Sequence, residues 1–274
     1  MIAIGALGGS GTRAITEVLI HSGIYMGDDL NDPNDNLIFT RLFKNPDWYR
    51  KSSDSQKQKR MSLFENYMKF NKLSLQELNE LYLASKSNPT FHSNTKFYLR
   101  VVKKLFSKGK NTDNWGWKEP NTQIYMNELL DFFDELKYVH VIRNGLDMAF
   151  SNNKQQLNNW GWKYNIHLDG KESDNELAVK QFDYWIESTK DVLEKSKKYS
   201  NRFLLINHTN FCNQPKTEID KLLAFAGINL SISETEELYR IPKNTGSNNR
   251  YKSKDLSIFE IEKIEYVKKL GFEI

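Results

Sequence analysis

Apolar residues along this chain follow two patterns. Some stand in short unbroken runs closed by glycine or a charge, and others recur every three or four positions across polar stretches. The first pattern predicts buried strands, the second amphipathic helices. Residues 2–7 (IAIGAL) form the first run, and a glycine-rich turn follows. Ile15, Val18 and Leu19 then fall at helical spacing, with Gly23 suited to the helix end. Residues 138–142 (YVHVI) and 203–206 (FLLI) predict two more strands. Between them, Leu177, Phe182, Trp185 and Ile186 mark a helix. Pro215 is placed as the first residue of another, with Ile219, Leu222, Leu223 and Ala226 on its apolar face and Gly227 at its end. A last helix is expected around Ile258, Ile261, Ile264 and Val267. This alternation predicts an α/β fold, with a parallel central sheet flanked by helices on both faces.

From about residue 32 to 110 the texture changes. This part is polar, rich in Lys, Asn and Ser, with helical spacing at Leu75, Leu78, Leu81 and Tyr82. It reads as a mostly helical insertion, either a lid over a site or structural packing. With 274 residues, 39% of them hydrophobic, the chain can bury one sizeable core, so a single domain over 1–274 is expected. The pentapeptide NWGWK occurs at 114–118 and again at 159–163, but the flanking residues do not match and no structural repeat is read from it.

Charge changes the picture little. The formal net charge is +4, with lysines spread along the chain and a denser stretch at Lys103, Lys104, Lys108 and Lys110. Such an excess suits solvated helix faces and is compatible with an anionic ligand. No basic stripe with interleaved aromatics points to nucleic acid. No apolar run approaches the ~20 residues of a membrane span, so no membrane insertion is expected. The apolar start lacks a basic leader and runs into glycines, unlike a secretion signal. The single cysteine, Cys212, excludes an internal disulfide and a cysteine-rich zinc site. A soluble, cytoplasmic protein is expected.

Chemistry concentrates first in IGALGGSGTR. A Walker A loop needs G-x-x-x-x-G-K-[ST], but Thr12 and Arg13 stand at its Lys and Ser/Thr positions. The anion-binding parts remain. Gly8, Gly9 and Gly11 let the backbone wrap closely, Ser10 and Thr12 offer hydroxyls, and a helix N-terminus points free N–H groups at the same spot. Arg13 adds a permanent forked charge. No acid ends the YVHVI strand, where a magnesium-binding Walker B acid would stand; Arg143 follows instead. The loop therefore suits a phosphate that needs no metal. Glycine-rich turns also serve packing alone, so the second constellation matters. In YVHVIRNGLDMAFSNN, Arg143 and Ser151 lie near the C-terminal end of a strand, where open α/β sheets bind ligands, and an Arg fork with a hydroxyl there could grip a second phosphate.

With these residues the chain resembles the sulfotransferase family, which uses 3′-phosphoadenosine 5′-phosphosulfate (PAPS). IGALGGSGTR resembles the family's 5′-phosphosulfate loop, and VIRNGLDMAFS its 3′-phosphate motif, with Arg143 and Ser151 spaced as in the family. WGWKEP resembles the segment before that motif, and FLLINHTNFCNQP followed by LLAFAGI the region after it. The resemblance implies a P-loop-like sulfotransferase fold, PAPS as donor with no metal, and Gly8, Gly9, Ser10, Gly11, Thr12, Arg13, Arg143 and Ser151 at the donor. Gly9 stands where the family usually carries Lys or Arg, and His208 at the place of its adenine-stacking tyrosine. NTGSNNRYK resembles a C-terminal basic loop and makes Arg250 a candidate for the 3′-phosphate.

Sulfuryl transfer needs an aligned acceptor hydroxyl, positive charge on the leaving phosphate and a base. Arg13 and Lys118 would supply the charge that Gly9 cannot. Asp28 and Asp29 match the position of a catalytic acid in some relatives and stand slightly ahead of Glu119, which neighbours Lys118. All three also fit ordinary roles in turns or ion pairs. His21 and His140 are read as structural. Trp115, Trp117, Trp160 and Trp162 are expected in packing, with stacking on an acceptor as the alternative. The expected acceptor is a small molecule or a glycan, a carbohydrate hydroxyl first and a small-molecule alcohol or phenol second. Two other readings remain: a P-loop small-molecule kinase, and a non-catalytic nucleotide-binding protein.

Overall fold

The computed structural model describes residues 1–88, 95–106, 109, 111–243 and 249–274. Lys108 and Lys110 of the basic stretch, and residues 244–248 of NTGSNNRYK, lie outside the described residues.

Four strands form one sheet among the described residues: β1 (Ile2–Ala6), β2 (Gly116–Lys118), β3 (Lys137–Ile142) and β4 (Phe203–Asn207). Their order is β2-β1-β3-β4 and every pairing is parallel. Both faces are buried, as a parallel sheet requires. Ile2, Ile4 and Ala6 join Val139, Val141 and Ile206 in one core layer, with Ile15, Val18, Leu19, Ile219 and Leu222 from two covering helices. Ala3, Tyr138 and Ile142 point into the other layer. β2 is an edge strand of three residues that no apolar run announces. Gly116 is needed there because a Cβ would lie 2.3 Å from the Ile2 carbonyl oxygen.

The helices follow in chain order. α1 (Thr12–His21) starts at Gly11, and Gly23 closes it with an N–H to the Ile20 carbonyl, 3.0 Å. Then come α2 (Leu37–Phe43), α3 (Pro46–Lys51), α4 (Asp54–Met68), α5 (Leu75–Ser87) and α6 (Thr95–Leu105). Capping boxes at Ser53/Gln56 and Ser74/Glu77 start α4 and α5. Phe39, Phe43 and Phe64 from this group pack on Trp117 and Tyr125, which ties it to the sheet. After β2, a 3-10 turn (Pro120–Tyr125) and α7 (Met126–Phe132) lead to β3. α8 (Gly145–Ala149), α9 (Gln155–Trp160) and α10 (Asp174–Ser196) separate β3 from β4. α11 (His208–Asn213), α12 (Pro215–Ala226), α13 (Ile232–Leu238) and α14 (Ile261–Lys269) complete the chain.

α12 begins at Pro215 and ends at Gly227 (φ 76°), as its sequence predicts. α14 is shorter than expected. Glu260 caps it, Ile258 stays outside, and Ile261 is 78% exposed. The two NWGWK copies adopt different structures, β2 in the first and the end of α9 with a 3-10 turn in the second. Trp115, Trp117 and Trp160 are buried in the core and Trp162 is partly buried against it, so packing accounts for them. His140 is buried beside the Tyr138 hydroxyl, and burial pushes its pKa down to about 3. Among the described residues, no helix is long and apolar enough to cross a membrane.

Candidate functional site

After β1 the chain crosses to β2 on one side, and β3 then lies on the other side of β1. The strand order reverses there, and ligands in open α/β sheets bind in the crevice at the C-terminal ends of such strands. Two loops meet at that point. Arg143, directly after β3, donates through Nη1 to the Gly9 carbonyl in the loop after β1, at 3.0 Å.

The loop itself is wound tightly. Gly9 and Gly11 have φ of 92° and 79°. Ser10 N–H closes onto the Leu7 carbonyl at 3.1 Å, and the Ser10 and Thr12 side chains are buried. The first turn of α1 carries no acid to oppose an anion. Arg13 points outward, 64% exposed, and pairs with Glu17 at 2.9 Å. An exposed pair of this kind is weak, about 0–1 kcal/mol, so the Arg13 fork is readily released to a ligand.

The Arg143 guanidinium is buried and lies 3.9 Å from Asp147, one turn into α8. Burial lowers its proton affinity, Asp147 opposes that, and the charge of Arg250 adds to it. Asp147 also accepts the Asn249 N–H (3.1 Å) and the Tyr251 N–H (3.5 Å), which fastens the chain around Arg250 to this corner. The buried Ser151 hydroxyl accepts the Asn153 N–H at 3.2 Å. Arg143 and Arg250 therefore lie beside the loop, and Ser151 approaches it only through Asn153, whose side chain lies against Gly8.

His208 opens α11 directly after β4 and lies on the loop. A Cβ at Gly11 would sit 2.0 Å from its Cδ2 and Nε2 atoms. Its Nε2 is 3.6 Å from Cys212 Sγ, and its Nδ1 is buried with no hydrogen-bond partner among the described residues. Burial first, then the Arg143 charge, push its pKa down to about 4, so the ring is neutral near pH 7. Gly11→Ala is accordingly expected to lower stability by about 3 kcal/mol, through left-handed backbone and overpacking together. Urea unfolding checks this. The overpacking part should return in the double variant with His208→Ala, and an unchanged midpoint in the single variant would refute the contact.

A second group sits at the end of β2. Lys118 is 1% exposed, and its ammonium donates to the Pro33 carbonyl (2.5 Å) and to the Asp35 carboxylate. Burial pulls its pKa below the ordinary lysine value, although Asp35 opposes the shift. Arg13 is close enough for its charge to act on Lys118. Glu119 is buried, and its carboxylate accepts the Asn121 N–H (2.6 Å) and Nδ2 (2.9 Å). Burial pushes its pKa up to about 7, and Asp35 pushes the same way, against Lys44 and the Asn121 bonds. Lys44, at the end of α2, is itself buried and donates to Gln155 Oε1 at 2.6 Å.

The other two acids precede α2. Asp28 is 60% exposed and faces Lys104 at 3.8 Å. Asp29 is buried in the turn feeding α2, where its carbonyl accepts the Leu37 N–H at 2.8 Å. The structure thus gathers Gly8 to Thr12, Arg143, His208 and Arg250 in one cluster, which Ser151 joins through Asn153, and Lys118 with Glu119 in a neighbouring one. Sequence reasoning missed Lys44, Asp35, Asn121 and Gln156. None stands in a recognisable motif, and each reaches its place through the fold.

The sequence profile of the sulfotransferase family matches residues 2–231. No curated protein matches the chain. Among solved structures, the sulfotransferase domain of the Synechococcus PCC 7002 olefin synthase is similar over 100% of this chain and 95% of its own, with 14% identity and a TM-score of 0.53. A sulfotransferase of Mycobacterium avium is similar over 100% of this chain and 77% of its own, with 14% identity and a TM-score of 0.48. The first likeness shows the fold, and the profile takes in the glycine-rich loop after β1, the Arg143–Ser151 stretch, β4 and α12. The chain belongs to the sulfotransferase family.

Proposed function

We propose that this sulfotransferase takes its sulfuryl group from PAPS and passes it to a hydroxyl of a small molecule or glycan, a carbohydrate first. The observation that carries this reading is the clasp of Arg143 on Gly9, which joins two anion-binding elements at the switch point of the sheet. The donor set fits a doubly phosphorylated nucleotide. Two left-handed glycines at a helix N-terminus, the Ser10 and Thr12 hydroxyls and the Arg13 fork suit the 5′-phosphate. Arg143, Ser151 and Arg250 suit the 3′-phosphate. His208 lies against the same loop and would border the nucleotide. PAPS would supply an activated sulfuryl group with a phosphate as leaving group.

The chain's own part is positioning and charge. Lys118 and Arg13 are suited to offset the charge that grows on the leaving phosphate. Glu119 is the acid best suited to accept the acceptor's proton, because its proton affinity lies near neutrality and it stands next to Lys118. Asp28 and Asp29 remain the rivals for that role. A single cysteine suits action in the reducing cytoplasm.

Thermal unfolding with adenosine 3′,5′-bisphosphate, and separately with ATP and magnesium, tests the reading. At ~100 times its dissociation constant the bisphosphate should add about 2.7 kcal/mol of stability. Stabilisation by ATP and magnesium alone would overturn PAPS in favour of a kinase. Bisphosphate binding without transfer to any of a panel of labelled acceptors would favour a non-catalytic protein.

A further inference from the structure

Hydrogen bonds, buried beyond the first link, run without a break from the anion loop to Glu119. The Gly8 N–H donates to Gln156 Oε1. Gln156 Nε2 donates to the Ala6 carbonyl (3.3 Å) and to Asn121 Oδ1 (3.5 Å). The Trp160 indole N–H donates to the same Asn121 oxygen at 2.7 Å. Asn121 then gives both of its own bonds to the Glu119 carboxylate. Gln156, Asn121 and Trp160 are all buried. Every link runs in one direction, from an N–H of the loop toward the carboxylate, and aligned bonds of this kind polarise one another.

We propose that Gln156 and Asn121 are positioning residues that couple the filling of the anion loop to the carboxylate of Glu119. The proposal rests on the reading of Glu119 as the proton acceptor. An anion in the loop competes with Gln156 for the Gly8 N–H. Gln156 then loses its donor on that side, and its amide is freed to shift against Asn121. Asn121 in turn sets how firmly both Glu119 oxygens are held. Donor binding at one end thereby adjusts the base at the other, and by linkage the coupling acts in both directions. The bond from Asn121 N to Glu119 also caps the 3-10 turn that starts at Pro120. A cap alone would influence stability, whereas the coupling changes the pH dependence of turnover.

The other groups acting on Glu119 are Lys44 at the end of α2, Asp35 in the turn before α2, the neighbouring Lys118, and Tyr125 in the 3-10 turn. Substituting Gln156 alters none of them and leaves the cap in place. The test is Gln156→Met in the full chain, with turnover measured against pH and bisphosphate affinity measured alongside. The rising limb of the rate should move by about half a pH unit or more. Turnover at pH 7 should fall with it, by about two-fold or more. Should that variant fail to fold, Gln156→Asn, whose amide is too short to span both partners, replaces it. A limb that coincides with wild type overturns the coupling, whatever happens to affinity. Wild-type protein that neither binds the bisphosphate nor transfers sulfuryl groups would instead sink the assignment of function.

Discussion

Glu119→Gln is expected to lower turnover by roughly 10²–10⁴-fold and to leave bisphosphate binding nearly unchanged. Glutamine keeps the shape and an oxygen for Asn121, but cannot take a proton from the acceptor. Wild-type turnover should rise with pH through about 7, where Glu119 ionises. The variant should lose that limb. Steady-state rates across pH, paired with calorimetric titration of the bisphosphate, provide the measurement. Full turnover in Glu119→Gln would return the role to Asp28 or Asp29. The same substitution should also change stability, with a sign that follows from the raised proton affinity. Unfolded, Glu119 ionises near 4.5; folded, near 7. Its contribution to stability is therefore fully present below pH 4.5, lost as pH rises toward 7, and absent above. A shift of that size corresponds to about 3 kcal/mol. Glu119→Gln should gain on wild type by that amount between acid and neutral pH, so the acid is held at a cost in stability.

Arg143→Ala should abolish the stabilisation by bisphosphate, a loss of about 2.7 kcal/mol at ligand concentrations that saturate wild type. The side chain is buried, and its fork joins the loop after β1 to the start of α8 through Gly9 and Asp147. Truncation removes a charged partner for a phosphate and leaves the buried Asp147 carboxylate without its guanidinium, at about 1–3 kcal/mol of intrinsic stability. Lysine should restore charge without the fork, and so recover only part of the binding. Thermal scans with and without bisphosphate separate the two effects. An undiminished ligand shift in Arg143→Ala would remove the second phosphate from this corner.

Much of the architecture is legible because it is encoded locally. β1, β3 and β4 are unbroken apolar runs, and α12 carries its proline and glycine at its own ends. β2 escapes notice because Gly-Trp-Lys has neither length nor apolar run, and it becomes a strand only by pairing with β1. α14 starts later than its spacing suggests because Ser257 turns back onto Asp255 and Glu260 then begins the helix. The site divides the same way. The loop and the Arg143–Ser151 stretch are contiguous segments and can be quoted from the chain. The surroundings of Glu119 are assembled from α2, β2 and α9, so no spacing along the sequence reveals them. His208 can be numbered from sequence, but its seat on Gly11 follows from where β4 ends.

The anchoring of Lys118 also bears on how such a protein is cut and recombined. Its ammonium is held by Pro33 and Asp35, the latter 83 residues earlier in the chain and just ahead of α2. A chimera that exchanges α2–α6 for those of another member has a natural seam near residue 32. Cutting there would give the lysine a foreign collar. A seam after Asn36 keeps lysine, carbonyl and carboxylate from one parent, and makes the helices the exchangeable part.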